Sequence, residues 1–329
     1  MGWNRGRGSA TSGVPDVPTY SALLAHVAPV FLILAVGWVL RRVRWLQPES
    51  DASMLRLGVY VLYPCLIADT ILGNEALRDV RQIMLPIGVG AATVLVGLGV
   101  GALVARLLDL TWPQPARTFA FTSGMFNYGF IPIPIIAALF DRATMGVLFT
   151  YTLGVEFMLW SAGIALLSGH RGEAWWRSAF NAPVLAIIIS TLWNFTAIPL
   201  PGFTQKTMHW LGECAFPVQL ILTGTALHDA IRRGWPGGLA RTVFVGNLVR
   251  LVVLPLLMLG GAALLGSSIE LQRVAVVQAA MPCAMIPVIL ARHYHGDVDM
   301  AAWIVATTTA IGLFTIPLWL RVGFGWLGI

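Results

Sequence analysis

Long apolar stretches dominate the chain, and their period is that of membrane-spanning helices. Ten of them lie near 23–40, 54–72, 83–107, 118–140, 144–168, 182–199, 208–231, 242–266, 270–291 and 300–321. At 1.5 Å rise per residue, about 20 apolar residues cross the roughly 30 Å hydrocarbon layer. Strands of a membrane barrel would instead alternate apolar and polar positions at about ten-residue spacing. The runs are continuous, so the pattern predicts an all-α integral membrane protein with about ten transmembrane helices. Polar or Pro/Gly breaks separate the runs, among them Arg41–Arg44 and His170–Glu173. No intervening loop is long enough for a soluble domain.

Composition sharpens this. Of 329 residues, 57% are hydrophobic and 11% charged, with mean hydropathy +0.77. A soluble domain carries about 25% charged residues because its surface faces water; here lipid must solvate part of the molecule. The pI of 9.7 raises the question of nucleic acid. The Lys and Arg residues are scattered over inter-span loops with no basic helix or aromatic-interleaved patch, and this excludes that partner class. Residues 1–22 read as a disordered tail without the apolar core of a signal peptide, and residues 322–329 as a short C-terminal tail. Arg and Lys residues number twelve on the side carrying the loops after odd-numbered spans and eight on the other. The positive-inside rule then makes the first side cytoplasmic, including a short linker at 169–181, and both termini extracytoplasmic. The expected location is a cell membrane, crossed many times.

Cys65, Cys214 and Cys283 fall within apolar runs and read as packing residues, with no metal-ligand or disulfide spacing. No His-Glu-x-x-His, Gly-x-Ser-x-Gly or paired intramembrane aspartate is present, so neither an enzyme, a metal centre nor a bound cofactor is expected.

The two halves resemble each other. Pro29 aligns with Pro183, Pro64 with Pro217 and Pro132 with Pro287, at offsets of 154, 153 and 155. Five spans per unit is odd, so the second unit enters from the opposite face. Residues 23–168 and 182–321 are therefore expected to form two inverted five-helix repeats, an architecture of secondary transporters. Span 4 carries Asn127-Tyr128-Gly129-Phe130-Ile131-Pro132-Ile133-Pro134, and span 9 carries Pro282-Cys283-Ala284-Met285-Ile286-Pro287. Proline removes a backbone donor and clashes one turn back, and freed backbone groups persist in hydrocarbon only where protein or water satisfies them. The pair predicts broken helices 4 and 9 crossing at mid-membrane. Their half-helix N-termini would attract an anion. Asn127, Tyr128, Gly129, Pro132, Pro134, Pro282, Cys283, Pro287 and Gln278 are the candidate substrate-binding residues.

Ionisable residues within spans are candidates for ion coupling. Glu156 is deep in span 5, Glu213 is flanked by apolar neighbours in span 7, and Asp69 lies late in span 2. Arg250 in span 8 is expected to snorkel towards the cytoplasmic face, while His293 and His295 fall in solvent. No cluster of carboxylates and hydroxyls has the make-up of a sodium cage, so protons are favoured over sodium.

These residues resemble the auxin efflux carrier family, which includes plant carriers and bacterial permeases. Its Asn-x-Gly-x-x-Gly-x-Pro pattern is met by Asn127, Gly129 and Pro134, with Pro132 replacing the second Gly. The span-2 proline is similar to Pro64, and the span-7 pattern to Pro217-Val218-Gln219-Leu220 followed by Gly224 and Leu227. The resemblance covers roughly 25–321. It implies a ten-span fold shared with bile-acid symporters and sodium/proton antiporters, and export or exchange of small organic carboxylates; the repeat symmetry with its anion-friendly crossover argues for alternating access. The chain lacks the long central loop common in plant members and has Pro282-Cys283 where they carry an Asn. An anion-permeable channel and a transport-inactive sensor on the same fold remain the alternatives, and oligomeric state, a homodimer included, is open.

Overall fold

The structure is a computed structural model that describes residues 17–74, 77, 80–110, 114–169, 182–196, 198–232, 234 and 237–329. Most of the expected N-terminal tail and nearly all of the 169–181 linker lie outside the described residues.

Twelve helices make up the described chain: α1 (Tyr20–Arg42), α2 (Pro48–Ile71), α3 (Val80–Leu107), α4 (Gln114–Gly124), α5 (Pro132–Leu139), α6 (Arg142–Ser168), α7 (Ala182–Thr196), α8 (Gly202–Arg232), α9 (Ala240–Leu264), α10 (Ile269–Ala280), α11 (Ile286–His293) and α12 (Val298–Leu327). Among the described residues the only β pairing is one isolated antiparallel bridge, Phe126 with Cys283. Seven helices are long and apolar enough to cross a membrane: α1, α2, α3 (from Ile83), α6, α8, α9 and α12. α7 is apolar but shorter.

Side-chain caps satisfy the orphan amides at several helix starts. Thr19 accepts from the Ala22 amide, Asp141 from Thr144, Ser268 from Leu271 and Asp297 from Met300. The helix expected to end at 321 continues to Leu327 and stops at Gly328 in the left-handed region (φ 70°), so the expected C-terminal tail is mostly helix. Of the three cysteines only Cys283 is buried, and Cys214 is exposed. Arg41, expected as a solvated loop charge, is buried. It pairs with Asp51 and with Asp229 (3.3 Å), and donates to the Leu46 carbonyl at 2.8 Å, clasping the ends of α1, α2 and α8.

Small residues let the helices approach closely, as they do where lipid removes the hydrophobic drive between helices. A methyl group on Gly97 of α3 would collide with the carbonyl of Gly124, and one on Gly154 of α6 with that of Ile87. Gly37 and Gly224 serve likewise where α1 meets α8, against Ile221 and Leu34. α3 is thereby fastened to α4 and α6, and α1 to α8. α10 packs on α6 and α12, bringing the two short-helix pairs together.

Candidate functional site

α4 stops at Gly124 and α5 starts at Pro132; α10 stops at Ala280 and α11 starts at Ile286. Pro132 and Pro287 fall in the first turns of α5 and α11, where a missing amide hydrogen is harmless and the fixed φ suits the helix. The prolines thus begin each second half-helix, and the backbone before them is what is freed.

That freed backbone is satisfied across the two interruptions. The Asn127 amide donates to the Pro282 carbonyl at 2.8 Å, and the Ala284 amide to the Met125 carbonyl at 3.1 Å. Gln278 Nε2 donates to the Tyr128 carbonyl at 3.1 Å, and the Cys283 amide to Thr308 Oγ1 at 3.3 Å. Asn127 Oδ1 accepts from the Ile131 amide at 3.2 Å, capping the approach to α5. Buried amides and carbonyls need such partners, above all in an apolar interior.

Beside this junction lies a cavity of about 290 Å³, lined from α2, both interruptions, the starts of α5 and α11, α6 and α7. Its one charged lining residue among the described residues is Glu156. Glu156 Oε1 accepts from the Tyr128 hydroxyl at 2.7 Å and Oε2 from Trp160 Nε1 at 2.8 Å. Tyr63 and Phe130 meet edge to face at 5.9 Å between ring centroids, and the buried Tyr63 hydroxyl, also facing this space, has no hydrogen-bond partner. A Cβ at Gly129 would sit 3.3 Å from that hydroxyl, so glycine keeps the space open. The remaining lining is mostly aliphatic and aromatic. A larger groove of about 450 Å³ between α9 and α12 carries no charged lining residue.

Of the candidate binding residues, Asn127, Tyr128 and Gly129 line the cavity. Pro282, Cys283 and Gln278 join the two interruptions through the contacts above, Pro132 and Pro287 begin the second half-helices, and Pro134 lies within α5; none of these six lines the cavity. The carboxylate candidates separate. Glu156 faces the cavity, whereas Asp69 and the exposed Glu213 lie elsewhere, bridged by His209 at 3.1 and 3.3 Å. Arg250 does not snorkel: it is fully buried, donates Nη2 to the Ala279 carbonyl at 3.1 Å, and lies 5.3 Å from the Phe126 ring centroid. A π-helical turn at Val249–Val253 carries it there.

Sequence reasoning missed Tyr63, Trp160 and His209. The Glu156–Trp160 contact has the i, i+4 spacing of helix neighbours and was available to it. Two further π-helical turns, Gly58–Leu62 and Leu159–Gly163, flank the cavity and place Val59, Leu159 and Trp160 in its wall. Such turns recur at functional sites.

Seven spanning-length apolar helices and an interior organised about two interrupted ones define a multi-pass helical membrane protein. The chain belongs to the membrane transport protein family, whose model matches residues 22–174 and 171–320; this is the auxin efflux carrier-like family that its motifs resemble. It is 26% identical over 298 residues to an uncharacterised transporter of Methanothermobacter thermautotrophicus, covering 89% of this chain and 96% of the relative. A second uncharacterised transporter, from Methanocaldococcus jannaschii, is 22% identical over 312 residues, covering 91% and 96%. The family is one of membrane transporters rather than enzymes.

Proposed function

We propose that the protein is a secondary active transporter working by alternating access, which exports or exchanges small organic carboxylates held where the two interrupted helices meet. The observation that carries this reading is the antiparallel backbone pairing of Phe126 with Cys283, beside a cavity whose polar groups converge on Glu156. Interrupted helices with paired openings near one cavity are how carriers of this kind build a site from backbone and half-helix ends.

The inverted repeat belongs to the same proposal. Irregularities recur at the expected offset: the π-helical turn at Gly58–Leu62 answers the interruption of α8 at Cys214, and the gap 125–131 answers 281–285. The starts of α5 and α11, at Pro132 and Ile286, are likewise 154 apart. With the short α7 and the two broken pairs, this makes ten crossings in units 23–168 and 182–321. The linker is then cytoplasmic and both termini lie outside the cell membrane.

Residues at the starts of both second half-helices line the cavity, Ile133 on α5 and Ile286 on α11, and this favours an anionic group. A ligand carboxylate and an ionised Glu156 repel one another in so apolar a space. A proton on Glu156 removes that repulsion, so the proposed coupling is to protons, with Glu156 ahead of Glu213 and Asp69. The test is a ligand-stabilisation screen of the purified protein against mono- and dicarboxylates, at two pH values, with and without sodium. Stabilisation by a carboxylate, stronger at lower pH and indifferent to sodium, is expected. Failure of every carboxylate to raise the unfolding temperature overturns the substrate class.

A further inference from the structure

The carrier reading gives no part to Arg250, although burying a cation within a membrane protein is among the least favourable placements a side chain can have. None of the ion pairs among the described residues includes it. Among the described residues its Nε has no acceptor, and besides Ala279 its one other hydrogen-bond contact is a weak one to Met258 Sδ at 3.7 Å. What compensates the charge is the junction itself. Ala279 is the last residue but one of α10, so its carbonyl belongs to the negative end of that helix's dipole. Phe126, whose ring face meets the guanidinium, is the residue that pairs with Cys283. One side chain therefore touches both interruptions, on an electrostatic and a cation–π contact.

Carriers with broken helices commonly place a diffusing cation against carbonyls at the end of a half-helix. We infer that Arg250 is a tethered cation. Its guanidinium occupies the place at the carbonyl end of α10 that a coupling cation would otherwise fill, so the junction carries its positive charge in the chain and works without sodium. Arg250 is then a positioning residue: it acts on the ligand through the backbone it holds.

The inference rests on the carrier reading, and its test separates the two because it needs no transported substrate. Thermal unfolding of the purified wild-type protein is compared in sodium, potassium and choline chloride at equal ionic strength, alongside Arg250→Ala and Arg250→Lys. The wild type should unfold at the same temperature in all three salts, and Arg250→Lys should retain most of its stability. Arg250→Ala should unfold at lower temperature and recover, saturably, in low-millimolar guanidinium but not in choline. That recovery is the readout a purely packing role would not give. A wild type that sodium specifically stabilises overturns the inference, as does a folded Arg250→Ala that no cation restores. Where Arg250→Ala fails to fold, the wild-type salt comparison and Arg250→Lys decide the matter: a lysine variant as unstable as the alanine one counts against a tethered charge.

Discussion

Replacing Glu156 by Gln isolates the proposed coupling step from the rest of the site. In the wild type the two carboxylate oxygens accept from Tyr128 at 2.7 Å and Trp160 at 2.8 Å. The amide keeps one acceptor oxygen, so one donor stays satisfied and the other faces an NH₂ group. At about 1–2 kcal/mol for such a loss, the variant should remain folded. The functional consequence is larger and has a defined sign. If the complex with a carboxylate holds one proton that the empty, ionised site lacks, binding is favoured at low pH. Linkage then lowers affinity about tenfold, or ~1.4 kcal/mol, for each unit rise in pH across that range. Glu156→Gln should bind the same ligand with affinity independent of pH. Titration calorimetry in two buffers of different ionisation enthalpy counts the proton directly: one taken up by the wild type, none by the variant, with a ligand ionised throughout. A wild type whose affinity is flat with pH, or a variant that still takes up a proton, refutes the reasoning.

Asn127→Ala removes both the acceptor for the Ile131 amide and a polar group of the cavity. It should weaken ligand binding by about 1 kcal/mol or more, and unchanged affinity in a folded variant would remove Asn127 from the site. Gly97→Val forces a side chain into the Gly124 carbonyl at the end of α4. Overpacking of about 1–3 kcal/mol should lower its unfolding temperature, while Gly99→Ala, with open space at the same helix, should leave it unchanged or slightly raised, since alanine suits a helix better than glycine. Asp141 caps α6 and accepts from the Thr144 amide and hydroxyl; those bonds first, with Arg273 adding less, hold its carboxyl below the usual carboxylate range. Asp141→Ala should lose about 1 kcal/mol. The stabilisation is fully present above the ordinary carboxylate range and lost as pH falls through the lowered value. The gap in unfolding temperature between wild type and variant should therefore close in acid.

Much of the architecture was legible because apolar runs and prolines encode it directly. The run near 144–168 became α6, Arg142–Ser168, and the prolines at 132 and 287 marked the starts of α5 and α11, since helix length and a missing amide are local properties. The fates of individual polar residues were not local. Glu156 and Glu213 are both set among apolar neighbours in sequence, yet one faces a cavity and the other is exposed beside His209. Which face of a helix turns inward depends on neighbours distant in the chain. Arg250 shows the same limit: snorkelling is the better reading of a lone arginine near a span end, and only the π-helical turn and the meeting of α9 with α10 direct it inward. π-helical turns have no compositional signature in a run of Val, Leu and Ile, so the places of Val59 and Leu159 in the cavity wall were not legible, while Asn127–Gly129 and Glu156 were.

The central claim is that one ligand site opens alternately to the two sides of a membrane, and counterflow in reconstituted vesicles tests it most directly. Vesicles containing the purified protein are preloaded with the carboxylate identified by stabilisation, and entry of labelled ligand is followed. The account predicts uptake that saturates with external ligand and is accelerated by ligand on the opposite side. Flux that rises linearly with concentration and ignores the opposite side would contradict it and identify a pore.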